Sequence, residues 1–263
     1  MARYSHSKLS TFEQCKLKYK FRYIDKIKPE IEKTIEIHLG EIAHETLEWL
    51  YKKVLENQTP TLDNTITFFS EKWQEKYVPG ILIVKKEFTE KDYFSKGIQF
   101  ILDYYARHHP FEDNTLEIEK KIILRLGENE EHEIIGFIDR LAFNKETQEY
   151  EIHDYKTSNS FPSKEKIESD KQLALYSIAI KEFFGEDQKI CLIWHYLNFD
   201  KKICSRRTKE QLDELKKDIL YLINQIEYEK EFPHNKSPLC NWCEYKGICP
   251  AWTKQKTLNN PLT

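Results

Sequence analysis

Two groups of residues in this chain carry side chains able to do chemistry. The first is a pair of acids, Asp139 and Asp154, with Lys156. Side chains two apart on a strand point the same way, so a strand over Glu151 to Lys156 puts Asp154 and Lys156 on one face. If it pairs with the preceding strand as a hairpin centred between Glu146 and Thr147, Asp139 lies directly opposite Asp154. Opposed Cβ atoms are roughly 4.5–5.5 Å apart, and like charges at that range destabilise each other unless a cation lies between them. Hard carboxylate oxygens suit Mg2+ or Mn2+, which would polarise a phosphoryl oxygen and acidify a bound water, with Lys156 orienting that water or stabilising phosphate charge. Spacing alone leaves a second reading open, two carboxylates at a sheet end neutralised by Lys156 or Arg140.

The second group is Cys240, Cys243 and Cys249, spaced C-x-x-C-x-x-x-x-x-C. Three thiols so close together suggest a metal. Structural zinc is the generic reading, but it is typically built from two paired ligand clusters, and here there is one. A fourth ligand must come from elsewhere. Cys191 and Cys204 fall in strand-like segments and read as small buried hydrophobes, which leaves Cys15.

The elements that must position these groups follow from periodicity. Ser7 to Asp25 reads as a helix capped by Ser7, with Leu9, Phe12, Leu17, Phe21 and Ile24 at helical spacing and Cys15 inside it. Further amphipathic helices are expected over Glu41 to Leu55, Asn64 to Tyr77 and Lys91 to His108. From Leu116 the texture turns to β-branched and aromatic residues, giving three consecutive antiparallel strands that end at Lys156. A helix over Ser163 to Phe184, a hairpin of Lys189 to Leu197 with Lys202 to Arg207, and a helix over Gln211 to Glu229 complete the order. This pattern predicts an α/β fold with a mixed sheet flanked by helices. Residues 1–111 are expected to form a mainly helical part, 112–232 the core and 233–263 a cysteine-bearing segment packing back on the N-terminus, all as one structural unit.

A chain of 263 residues with 40% hydrophobic content can bury a sizeable core. The first residues lack the apolar run of a signal peptide and no apolar stretch is long enough to span a bilayer, so a cytoplasmic protein is expected, with disorder only from about Lys254 onward. A net charge of −3 gives no global attraction to nucleic acid. Binding would need local patches, and Lys16, Lys18, Lys20 and Arg22, or Lys201, Lys202, Arg206 and Arg207, either contact phosphate or are solvated faces. No Gly-rich phosphate loop of a helicase motor is present.

Several segments resemble the RecB-like branch of the PD-(D/E)XK nucleases. Gly136-Phe137-Ile138-Asp139-Arg140 and Asp154-Tyr155-Lys156-Thr157 resemble its G-x-x-D-R and D-Y-K-T signatures. Gly40-Glu41-Ile42-Ala43-His44 resembles its metal-histidine helix, and Gln172-Leu173-Ala174-Leu175-Tyr176 its Q-x-x-x-Y element. The resemblance implies a PD-(D/E)XK restriction-endonuclease-like core in which Lys156 is catalytic, His44, Asp139, Asp154 and Tyr155 occupy metal positions, and Gln172 and Tyr176 contact DNA or support the site. It further implies that Cys15 joins Cys240, Cys243 and Cys249 around a 4Fe-4S cluster, although Lys16 follows Cys15 where the family usually has proline. The members most alike in size and cysteine arrangement are stand-alone nucleases of CRISPR spacer acquisition and single-strand DNA exonucleases. The implied function is Mg2+- or Mn2+-dependent hydrolysis of DNA, as an exonuclease on single strands or ends, in repair, CRISPR adaptation or antiviral defence. Implied partners are DNA and proteins such as a helicase or integrase, with no membrane. The alternatives are a non-catalytic or partner-dependent lobe of a DNA-processing complex and, more remotely, an electron-transfer protein.

Overall fold

The computed structural model describes residues 2–29, 31 and 33–253, so the disorder expected from Lys254 onward lies outside the described residues. The elements run β1 (Ala2–Tyr4), α1 (His6–Gln14), α2 (Lys16–Tyr19) with a π-helical turn (Lys20–Ile24), α3 (Ile35–Leu55), α4 (Leu62–Glu75) and α5 (Glu90–His108). Then come β2 (Thr115–Leu126), β3 (His132–Asn144), β4 (Glu149–Lys156), α6 (Lys164–Glu168), α7 (Gln172–Phe184), β5 (Ile190–Tyr196), β6 (Lys201–Ser205) and α8 (Lys209–Tyr228). The fold is α/β, a mixed six-stranded sheet with helices on both faces.

The long hairpin β2–β3 is the backbone of the sheet. The other edge of β3 is shared. It pairs parallel with β1 at His132 to Ile134 and antiparallel with β4 from Arg140 to Asn144, which leaves Ile135 to Asp139 unpaired on that edge. β4 pairs parallel with β5, and β5 antiparallel with β6. All seven residues of β5 are buried, as expected of a central strand covered on both faces.

One core lies between the sheet and α1, α7 and α8, built from residues such as Ile138, Ile152, Leu175 and Ile219. α7 is buried from Leu173 to Ile180 and reads apolar nearly all round. A second core joins α3, α4 and α5 through Phe69, Trp73 and Phe100, and reaches the sheet at Tyr155 and Leu197. The N-terminal hundred residues are therefore divided between two cores, with β1 inside the sheet.

Several sequence expectations are corrected. The first helix is capped by Ser5, which accepts from Lys8 N at 3.2 Å, and it breaks at an extended Cys15 (φ −162°, ψ 109°). A tertiary bond replaces the helical one there, because Leu17 N donates to Pro233 O. α3 starts at Ile35, capped by Thr34, so Gly40 lies inside it. The helix expected over Ser163 to Phe184 is two helices, since the Asp170 side chain accepts from Leu173 N at 3.2 Å and starts a new one. Cys191 and Cys204 form a disulfide, and only Cys191 is buried. The first basic patch is neutralised by Lys16–Glu229, Lys18–Glu244, Lys20–Asp25 and Arg22–Glu244 pairs, two of which tie the N-terminus to the C-terminal segment at Glu244. In the second, Arg206 is paired with Glu149.

Beneath β4, on the side of the second core, sits a buried polar network. Arg140, only 1% exposed, pairs with Asp113, donates to Tyr155 Oη at 3.1 Å and lies 2.9 Å from His153 Nδ1. His153 in turn stacks on His195, and Tyr104 bonds Tyr51 and Tyr155. Burial, with the Arg140 charge and one another beside them, holds the His153 and His195 imidazoles well below their usual range and pushes His108 down to about 4. An unfolded chain protonates these rings near about pH 6.5 and the fold does not, so stability is present above that pH and lost as pH falls below it. The melting temperature should therefore drop more between about pH 7.5 and about pH 5.5 in the wild type than in a His108→Gln chain that lacks one of these rings, measured by circular dichroism. Equal changes in the two chains would show that the network accepts protons without strain.

Candidate active site

β3 and β4 part company just past the Arg140–His153 pair, one step before Asp139 would meet Asp154. The register is the one the hairpin argument predicts. At the parting, the Asp139 carboxylate takes the place of a backbone carbonyl and accepts Tyr155 N–H at 3.0 Å. His44, carried by α3, closes the other side, with Nδ1 3.2 Å from Asp139 Oδ2 and Nε2 2.6 Å from the Tyr155 carbonyl oxygen. Tyr155 thus offers the site its backbone, while its ring belongs to the second core.

On the first-core side of β4, Asp154 is 3% exposed. The Lys156 ammonium forms a buried ion pair with its Oδ2 at 2.7 Å. Lys156 also donates to Gln172 Oε1 at 3.1 Å, and Gln172 Nε2 to Tyr176 Oη at 3.4 Å. The i, i+4 pair on α7 therefore holds the ammonium in place.

Electrostatics tie these groups together. Burial would lower His44, but its bond to Asp139 and the charges of Asp139 and Asp154 overcome this and raise it to about 9. Burial pushes Asp154 up to about 6, opposed by Lys156 and aided by Asp139. Burial also lowers Lys156, and the Asp154 carboxylate more than reverses that. Sequence reasoning missed Glu119, raised to about 7 by burial and by the charges of Asp139 and Glu48. It lies on β2 between the residues that pair with Ile138 and Arg140, at a positive φ of 49°, and only the strand register could have revealed it.

Two glycines fix the helices against this site. A Cβ on Gly136 would collide with the Tyr176 ring, and one on Gly40 would stand 3.1 Å from Thr157 Oγ1. The four motif segments recognised in the sequence are thus in direct contact, pairwise, through glycines.

The four cysteines singled out in the sequence, Cys15, Cys240, Cys243 and Cys249, are free thiols lining one cavity together with Leu17, Phe21, Tyr245 and Trp252. Backbone N–H groups of Asn235 and Ser237 donate to the Cys15 and Cys240 sulfurs at 3.5 and 3.4 Å. Burial pushes the Cys243 thiol up. Among the described residues, no three His, Cys, Asp or Glu side chains, neither these thiols nor His44 with Asp139 and Asp154, converge closely enough to hold a single metal ion.

The family model of the PD-(D/E)XK nuclease superfamily matches residues 3–250. A crystal structure from Eubacterium rectale named "Putative exonuclease" superposes with a TM-score of 0.53 at 12% identity, covering 99% of this chain and 91% of that one, a likeness of fold. A structure named SSO0001 gives a TM-score of 0.40 at 17% identity over 93% of this chain and 95% of that one, a score too low to carry an argument. No curated protein matches the sequence. No helix among the described residues is long and apolar enough to cross a membrane.

If Gly136 is the contact that sets α7 against β3, Gly136→Ala must displace the Tyr176 ring or the strand. Overpacking of this kind costs about 1–3 kcal/mol. Urea denaturation should register that loss, and a Gly136→Ala chain as stable as the wild type would refute the close approach.

Proposed function

The chain belongs to the PD-(D/E)XK nuclease superfamily, and from that premise we propose that it is a metal-dependent deoxyribonuclease, acting as an exonuclease on single-stranded DNA or DNA ends. The observation that carries the reading is the buried carboxylate of Asp154 within reach of the Asp139 charge at the strand fork, with His44 against Asp139 and the Tyr155 carbonyl. Two carboxylates are what a hard divalent cation asks of the protein, since Mg2+ is ordinarily held by one or two and completes its shell with water and phosphate oxygens. When bound, the cation would polarise the scissile phosphoryl group and lower the pKa of the attacking water.

In this reading Asp139 and Asp154 are the carboxylate ligands, with the Tyr155 carbonyl and His44 beside them. Ligation needs a neutral imidazole, so the proton that Asp139 holds on His44 competes with the cation. Lys156, kept charged by Asp154, stands where it can orient the nucleophile or meet phosphate charge. Gln172 and Tyr176 hold Lys156 and pack against Gly136. The exonuclease preference is supported by the name of the Eubacterium rectale structure and by no contact within this site.

We assign the four-cysteine cavity to a 4Fe-4S cluster. The reading is supported by four free thiols, Cys15 with Cys240, Cys243 and Cys249, that line one cavity.

Asp139→Asn, whose amide oxygen can still accept the Tyr155 N–H, Asp154→Ala and Lys156→Ala should each abolish cleavage of end-labelled single-stranded DNA while leaving the circular dichroism spectrum unchanged. Cleavage should stop in EDTA and return with Mg2+ or Mn2+. An Asp154→Ala chain that cuts at the wild-type rate would overturn the assignment.

Cys15→Ala should lose iron and visible absorbance and melt earlier, because a cross-link closing so long a loop stabilises by roughly 3–5 kcal/mol. Anaerobically purified wild type holding stoichiometric zinc, or a Cys15→Ala chain with full iron content, would rule the cluster out.

A further inference from the structure

The outer face of the β2–β3 hairpin is uncovered where it runs away from Asp139. Ile122, Leu124 and Leu126 on β2, with Ile134 and Ile138 on β3, turn inward to the first core. The alternate residues face out, and the register pairs them in ranks: Lys121 with Phe137, Ile123 with Ile135, Arg125 with Glu133. Phe137 is 49% and Ile123 43% exposed, and Lys121 and Arg125 are exposed beside them. The apolar residues are contiguous, because Phe137 and Ile123 are diagonal neighbours across the two strands. The acid in the last rank lies against Arg3 at 3.0 Å and Arg125 at 3.6 Å, Arg125 also reaches Glu130 at 4.0 Å, and both guanidinium groups are more than half exposed. Lys121 makes no ion pair with any of the described residues. The first rank begins two residues from Asp139 on the same strand.

We propose that this face is the platform on which a single strand of DNA lies as it enters the site. The proposal rests on the nuclease reading above. An aromatic ring and an apolar floor present surfaces on which unpaired bases stack, which a duplex with its bases turned inward cannot use. Cations on either side meet the phosphates. Each rank advances about 6.7 Å, two residues of strand rise, which suits successive nucleotides of an extended strand. The nucleotide next to the scissile bond stacks on Phe137, the following one rests on Ile123 and Ile135, and Lys121, Arg125 and Arg3 flank the phosphates. The occupant is single-stranded DNA because the face combines unpaired aromatic surface, positive charge and continuity with Asp139.

Fluorescence anisotropy of a labelled oligothymidylate, in EDTA so that nothing is cut, tests this without reference to cleavage. Phe137→Ala should weaken binding about ten-fold, the loss expected of one stacked base. Lys121→Ala should lower the slope of log affinity against log salt by about 0.7, one single-strand phosphate contact. Hydrolysis of bis(p-nitrophenyl) phosphate, which has no nucleoside to rest on the platform, should be unchanged in both variants. Wild type that does not bind the oligonucleotide, or variants with unchanged affinity and salt slope, would overturn the proposal. A wild-type dimer that Phe137→Ala makes monomeric, with DNA affinity intact, would overturn it in favour of a second copy of the chain. Inactivity of the wild type on both substrates, with binding lost as expected in the variants, would instead count against the nuclease reading and leave the platform standing.

Discussion

The hydrogen bond from Tyr155 N–H to the Asp139 carboxylate is the interaction on which the rest of this structure turns. Antiparallel strands ordinarily go on exchanging backbone bonds until one of them ends. Here a side chain takes over the next rung, so β3 and β4 diverge without leaving a buried N–H unpaired. The divergence opens a stretch of β3 edge between its partners β1 and β4, and the same carboxylate lies against His44. One acid thus ends the pairing, satisfies the exposed amide and contributes charge to the opening it creates.

A fork in a sheet is useful only if its two sides cannot slide. Packing on each face prevents that. Tyr176 lies against Gly136 where a methyl group would not fit, and Thr157 sits over Gly40 of α3. Below β4, Arg140 holds Tyr155 by its hydroxyl while Asp139 and His44 hold it by its peptide groups, so this residue is fixed at three points. The buried guanidinium is tolerable because Asp113, Thr115, Tyr155 and His153 surround it. The surrounding charges then act at short range in a site with little water, which is why the carboxyl of Asp154 and the ring of His44 both depart from their ordinary values.

Much of this was legible in the sequence. Strand alternation placed Asp154 with Lys156, the hairpin centre gave the pairing of β3 with β4, and helical spacing put Gln172 and Tyr176 on one face. Those are local rules, set by the period of two along a strand and of 3.6 along a helix. What escaped was long-range. The short strand β1 has too few residues to show a period, and the break at Cys15 comes from Pro233, far along the chain. The joining of Cys191 to Cys204 reflects a register between β5 and β6 that neither strand's pattern announces. The basic run from Lys16 to Arg22 suggested a ligand patch, yet its partners are Glu229 and Glu244, acids that only the fold brings near. Glu119 has no sequence signal at all, because its position relative to Asp139 depends on the bend in β2.

The central claim is that the fork is a cation site. It is tested most directly by soaking crystals of the protein in Mn2+ and recording anomalous diffraction at the manganese edge. The account predicts a peak in the fork at about 2.1 Å from carboxylate oxygens of Asp139 and Asp154, with the Tyr155 carbonyl in the same shell. Saturating Mn2+ that leaves the fork without a peak, or places the ion away from both carboxylates, would contradict it.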